Sequence, residues 1–145
     1  MFRAEHDQKI KRTRQIIGIQ GNKIRSQSQI PGILQTSAGL LGSGGAAAAI
    51  LAQAALDGTA FIDVFARSAS ASTKLIAEEI QRIHARCDCR IRLFDLEDNT
   101  SLRHCLDEAD VLINASSVGM APRTDASLIP DPAFFHLGLV VGDVI

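Results

Sequence analysis

The hexapeptide Gly42-Ser43-Gly44-Gly45-Ala46-Ala47 constrains the fold more than any other feature of this 145-residue chain. It lies between a short apolar run ending at Leu41 and an Ala-rich helical stretch from Ala46 to about Leu56. The pattern is Gly-x-Gly-x-x-Ala. Its first Gly makes a tight turn, its second lets a ligand approach the backbone, and its small final residue lets the helix pack close on the strand. A helix beginning there offers free N–H groups and the positive end of its dipole, which suits a pyrophosphate. The same residues also suit a tight turn that binds nothing.

Downstream, short apolar runs alternate with helical periods. The pattern predicts strands near 39–41, 61–66, 90–94, 111–114 and 139–144. Asp57-Gly58 stops the first helix, with Gly58 as the left-handed residue. Leu75, Ile76, Ile80 and Ile83 predict one face of a second helix, opened by Ser72 or Thr73. Leu102, Cys105, Leu106 and Ala109 repeat at helical spacing in a third. Ile91 and Leu93 alternate as a short strand, and 111–113 and 139–144 read as buried strands. Strands alternating with helices imply a mostly parallel α/β sheet. Residues 1–36 fit this pattern poorly: Ile16-Ile17-Gly18-Ile19 reads as one strand, and 26–32 as turn-like.

Composition narrows the function classes. Hydrophobic residues make up 46% of the chain, which excludes wholesale disorder. The formal net charge of −1 and the absence of Trp and Tyr argue against a nucleic-acid partner. The balance is uneven: residues 1–36 carry seven bases and two acids, and the remainder eight bases and fourteen acids. That break suits two segments of different role, or a solvated basic tail. Cys87, Cys89 and Cys105 are an odd set without metal spacing, so reduced thiols and a cytoplasmic location are expected. The N-terminus lacks the apolar stretch of a signal peptide. The uncharged run 37–56 is about long enough to span a bilayer, but its Gly, Ala and Ser content points to a soluble helix and no membrane partner. His6, His84, His104 and His136 show no ligand spacing, and no metal is expected. Asp107, Glu108 and Asp110 read as a solvated helix end.

Two further stretches point to a nucleotide. The second strand ends Phe65-Ala66-Arg67-Ser68, with no acid to accept from a ribose 2′-hydroxyl. Arg67 can pair with a 2′-phosphate and Ser68 can donate to it, which favours NADP over NAD. Arg67 also reads as an exposed, solvated side chain. Asn114-Ala115-Ser116-Ser117-Val118-Gly119-Met120 follows the fourth strand, where doubly wound sheets bind ligands.

These stretches, with Leu40-Leu41 before the glycine turn and Val140-Val141-Gly142-Asp143-Val144-Ile145, resemble the shikimate/quinate dehydrogenase family. Ala66 stands where that family has Asn. The resemblance implies an α/β, Rossmann-like doubly wound parallel sheet over residues 38–145, a C-terminally clipped NAD(P)-binding domain. Residues 1–37 are then a truncated, poorly structured remnant of a substrate domain. The implied cofactor contacts are Gly42, Ser43, Gly44, Gly45, Ala46, Ala66, Arg67, Ser68, Asn114, Ser117 and Val144. Ile17 to Ser28 is similar to the family's first strand and Ser-x-Ser loop, which implies Ser26 and Ser28 at the substrate carboxylate. The Lys and Asp that carry proton transfer in the family have no counterpart here, so no catalytic residue is assigned. The implied reaction interconverts 3-dehydroshikimate and shikimate, or acts on quinate, with NADP or NAD. The chain by itself is expected to have little activity, marginal stability and a tendency to self-associate or form a homodimer. Alternatives are an inactive nucleotide-binding fragment and the NADP-binding domain of a folate-linked dehydrogenase.

Overall fold

The computed structural model describes residues 36–144. The expected strand around Ile17, the turn-like stretch 26–32 and the candidate serines Ser26 and Ser28 lie outside the described residues. Five strands, β1 (Ser37–Leu41), β2 (Phe61–Ala66), β3 (Arg90–Asp95), β4 (Val111–Asn114) and β5 (Val140–Asp143), form one sheet in the order β3-β2-β1-β4-β5. Every neighbouring pair is parallel. Among the described residues the helices are α1 (Gly45–Leu56), α2 (Ala71–His84) and α3 (Asn99–Glu108), with a 3-10 turn at Pro132–Phe134. The parallel α/β sheet expected from the alternation, in the Rossmann-like form that the resemblance implies, is the fold observed.

Successive side chains on a strand point to opposite faces, and this divides the core in two. Ala38 and Leu40 of β1, Ile62 and Val64 of β2 and Val111 and Ile113 of β4 pack with Leu51 of α1 and Ile76, Ile80 and Ile83 of α2. Leu41, Phe65 and Leu112, one residue out of phase, pack with Leu102, Cys105 and Leu106 of α3. The inner strands are covered on both faces, which is why they read as continuous apolar runs.

Local detail departs from the sequence reading at four places. Ser70 opens α2, accepting from the Thr73 N–H at 3.1 Å; Ser72 and Thr73 are not the cap. Leu75 is 65% exposed. The buried stripe runs through Thr73, Ile76, Ile80 and Ile83, and Leu75 sits about 100° away from it. Val141 is 54% exposed although 139–144 reads as buried, because β5 is a sheet edge among the described residues. Asp110 does more than solvate a helix end. Its Oδ2 accepts from the Ser37 N–H at 2.8 Å, and the Glu108 carbonyl accepts from the Ser37 hydroxyl at 3.0 Å, so the end of α3 anchors the start of β1. That strand begins at Ser37, two residues before the apolar signal.

All three cysteines are free thiols. Among the described residues, no helix is long and apolar enough to cross a membrane, and no group of three or more His, Cys, Asp or Glu can hold a metal ion.

Candidate functional site

Three strand ends converge on the glycine turn. The Gly42 N–H donates to the Phe65 carbonyl of β2 at 2.9 Å, and the Ala115 N–H donates to the Leu41 carbonyl at 2.8 Å. Gly42 has φ +115°, and a Cβ there would fall 2.9 Å from the carbonyl carbon and oxygen of Ala115. Glycine at this position is a demand of the fold itself.

Gly44 is a different case. It caps α1 with φ −76°, an ordinary value for any residue, and a Cβ on it would meet nothing within 4 Å. The same open space lies beside Gly45. No side chain caps α1, and its first turn holds no acid. By contrast, Ser70 caps α2 and Asp98 caps α3. The first N–H groups of α1 therefore lack a side-chain acceptor at the positive end of the dipole. An uncapped helix N-terminus of this kind is suited to an anion such as a pyrophosphate.

Hydroxyls join the turn to α2. The Ser43 and Ser72 hydroxyls are 2.8 Å apart, Ser70 and Thr73 are 2.7 Å apart, and Thr73 donates to the Arg67 carbonyl at 2.6 Å. This network fixes the segment that follows β2. Ala66 is buried, while Arg67 and Ser68 are exposed. The Ser68 hydroxyl donates to Oδ2 of Asp95, at the end of β3. Asp95 pairs in register with Ala66, so an acid does stand beside the end of β2, supplied by the neighbouring strand. Reading β2 alone could not find it; the signal is its position as the last residue of the next strand.

The loop after β4 is held by its own polar groups. Asn114 Oδ1 accepts from the Ser116 N–H at 3.1 Å and the Ser116 hydroxyl at 2.6 Å, while Nδ2 donates to the Val118 carbonyl at 3.1 Å. The Asn114 side chain thus shapes the loop, and Ser117 is left exposed on it. The Val144 N–H donates to the Asn114 carbonyl at 3.1 Å, which brings the end of β5 alongside. Gly42, Ser43, Gly44, Gly45, Ala46, Ala66, Arg67, Ser68, Asn114, Ser117 and Val144 all lie at or just beyond the carboxyl edge of the sheet.

A cleft of about 310 Å³ opens elsewhere, lined by Ser37, Phe61, Asp63, Arg92, Cys105 and Glu108. In it Arg92 donates from Nε and Nη2 to the two oxygens of buried Asp63, at 2.8 and 2.7 Å. This bidentate pair raises the Arg92 pKa. Burial, with Asp63 beside it, pushes the Cys105 thiol up to about 12.

The sheet, with its glycine turn at the topological switch point between β1 and β4, defines a Rossmann-like α/β domain. No family model matches the chain. The shikimate dehydrogenase (NADP(+)) of Listeria monocytogenes serotype 4b (strain F2365) is 37% identical over 106 residues, which are 73% of this chain and 36% of the relative. The quinate/shikimate dehydrogenase of Escherichia coli O139:H28 is 38% identical over 106 residues, with the same two shares. A crystal structure of shikimate 5-dehydrogenase from Listeria monocytogenes in complex with shikimate and NAD superposes with a TM-score of 0.74 at 32% identity, covering 95% of this chain and 43% of that one. The chain is a homologue of the shikimate/quinate dehydrogenases. It spans about a third of the length of the curated relatives it matches. These likenesses do not favour the folate-linked alternative.

Proposed function

We propose that residues 38–145 bind NADP or NAD across the carboxyl edge of the sheet, in the service of a shikimate- or quinate-type dehydrogenase reaction. The observation that carries this reading is Gly44. Neither its backbone conformation nor any neighbouring atom requires glycine there, and it opens an uncapped helix N-terminus to an anion. The first N–H groups of α1 would hold the pyrophosphate, and Arg67 would pair with a 2′-phosphate. Ser117 and Val144 would line the nicotinamide end, beside a loop that Asn114 keeps in shape. When bound, the cofactor carries the hydride. The named relatives support this choice of cofactor and substrate class: one is called NADP(+)-dependent, and one solved structure holds shikimate and NAD.

In this reading residues 1–37 belong to a substrate-binding part, with Ser26 and Ser28 at a substrate carboxylate. Exposed Val141 on β5, the last strand of the sheet among the described residues, and exposed Leu137 just before it support self-association. Little turnover is expected from the 145-residue polypeptide alone. General acid–base help contributes about 10²–10⁴-fold, and no Lys–Asp pair for it is assigned here. The test is calorimetric titration of the purified chain with NADP+ and NAD+, together with an assay using shikimate and quinate. Saturable binding is expected, with turnover far below an ordinary rate of about 10 s⁻¹. Failure of both cofactors to bind at millimolar concentration contradicts the reading.

A further inference from the structure

We infer that Asp95 is a cofactor-discriminating residue, one that opposes the pull of Arg67 toward a 2′-phosphate. The inference rests on the dinucleotide reading above and adds which cofactor each residue favours. A hydroxyl has one hydrogen to donate and two lone pairs. The Ser68 hydrogen goes to Asp95 Oδ2, while Asp95 Oδ1 accepts from the Glu97 N–H at 2.8 Å and keeps the carboxylate in place.

The ribose of a dinucleotide meets the end of the second strand, here at Ala66, and Asp95 is paired with that residue. A 2′-phosphate held by Arg67 would therefore meet a Ser68 oxygen whose hydrogen is already given away, with a carboxylate behind it. To donate to the phosphate, Ser68 must abandon Asp95, and two anions are then left facing each other. A 2′-hydroxyl has no such conflict: it carries its own hydrogen and can donate to the Ser68 oxygen or to the carboxylate. Arg67 and Asp95 thus act in opposite senses on one atom of the ligand. The expected preference for NADP is weaker than Arg67 alone would set.

The experiment is fluorescence titration of the full chain with NADPH and NADH, in the wild type and in Asp95→Asn. Asparagine keeps the oxygen that accepts from Glu97 and removes the charge. The NADPH-to-NADH affinity ratio is expected to rise roughly tenfold, through tighter NADPH binding. A role in shaping the turn would shift both affinities alike, so an unchanged or reduced ratio overturns the inference while leaving the dinucleotide reading intact. If the wild type binds neither nucleotide, the underlying reading fails, and the inference with it. Asp95→Ser, whose hydroxyl can also accept from the Glu97 N–H, serves the same comparison if Asp95→Asn does not fold. It is expected to raise the ratio in the same direction.

Discussion

A Cβ added at Gly42 would press to 2.9 Å on the Ala115 backbone at a φ of +115°, while one added at Gly44 would point into open space. The two glycines share one hexapeptide, yet one shapes the turn and the other faces outward. Arg67 has a similar outward role, so Arg67→Ala should weaken NADP roughly tenfold to a hundredfold, the loss of one charge-assisted pair, and leave NAD nearly unchanged. Competitive titration checks this, and equal loss for both cofactors would remove Arg67 from the 2′-phosphate. The thiols give a prediction in pH. Burial pushes Cys89 and Cys105 from the ordinary 9.0 up to about 12. Between those values the unfolded chain has already lost protons that the folded chain retains, so stability falls as pH rises from about 9 toward 12. Urea midpoints measured across that range should decline, and neither thiol should react with iodoacetamide at pH 8 before unfolding. A flat alkaline profile would contradict the burial of these two groups.

Much of the element structure was open to reading in advance, for a physical reason. In β2 and β4 both faces are covered, so their apolar runs survive as contiguous signals. Gly58, at φ +96°, follows the end of α1, where Asp57-Gly58 predicts the stop. What could not be read depends on neighbours far away in the chain. Val141 reads as buried, yet the strand order leaves it at an edge among the described residues. Ser37 carries no apolar signal and enters β1 only because Asp110 and Glu108 hold it. Asp95 becomes part of the site only through its pairing with Ala66. The ion pair between β2 and β3 is illegible in the sequence for the same reason, since Asp63 and Arg92 meet only once the strands align. Arg92→Ala should cost about 2 kcal/mol by leaving a buried carboxylate without its partner. The Arg92 side chain is 58% exposed and water reaches it, which keeps the figure below that of a fully buried pair. Replacing both residues by leucine should recover most of the loss. A double-mutant cycle in urea measures this, and a loss under about 0.5 kcal/mol for Arg92→Ala would mean that the pair contributes little.

In the molecule as a whole, the Asp63–Arg92 cleft and the glycine turn draw on separate sets of residues. Arg92→Ala should therefore lower stability without changing affinity for NADP or NAD, since sites that share no partners combine additively. The matched relatives extend well beyond the length of this chain, so the part that can be tested directly here is nucleotide recognition. Its centre is the exposed start of α1. The most direct measurement is NADP+ titration calorimetry on the wild type, Gly44→Val and Gly42→Ala, with urea unfolding of each. Gly44→Val should keep stability within about 1 kcal/mol of the wild type and lose most of its affinity, because the side chain occupies the space at the helix N-terminus. Gly42→Ala should lose about 1–3 kcal/mol of stability through backbone strain. A Gly44→Val chain that folds normally and binds NADP+ as tightly as the wild type would contradict the account.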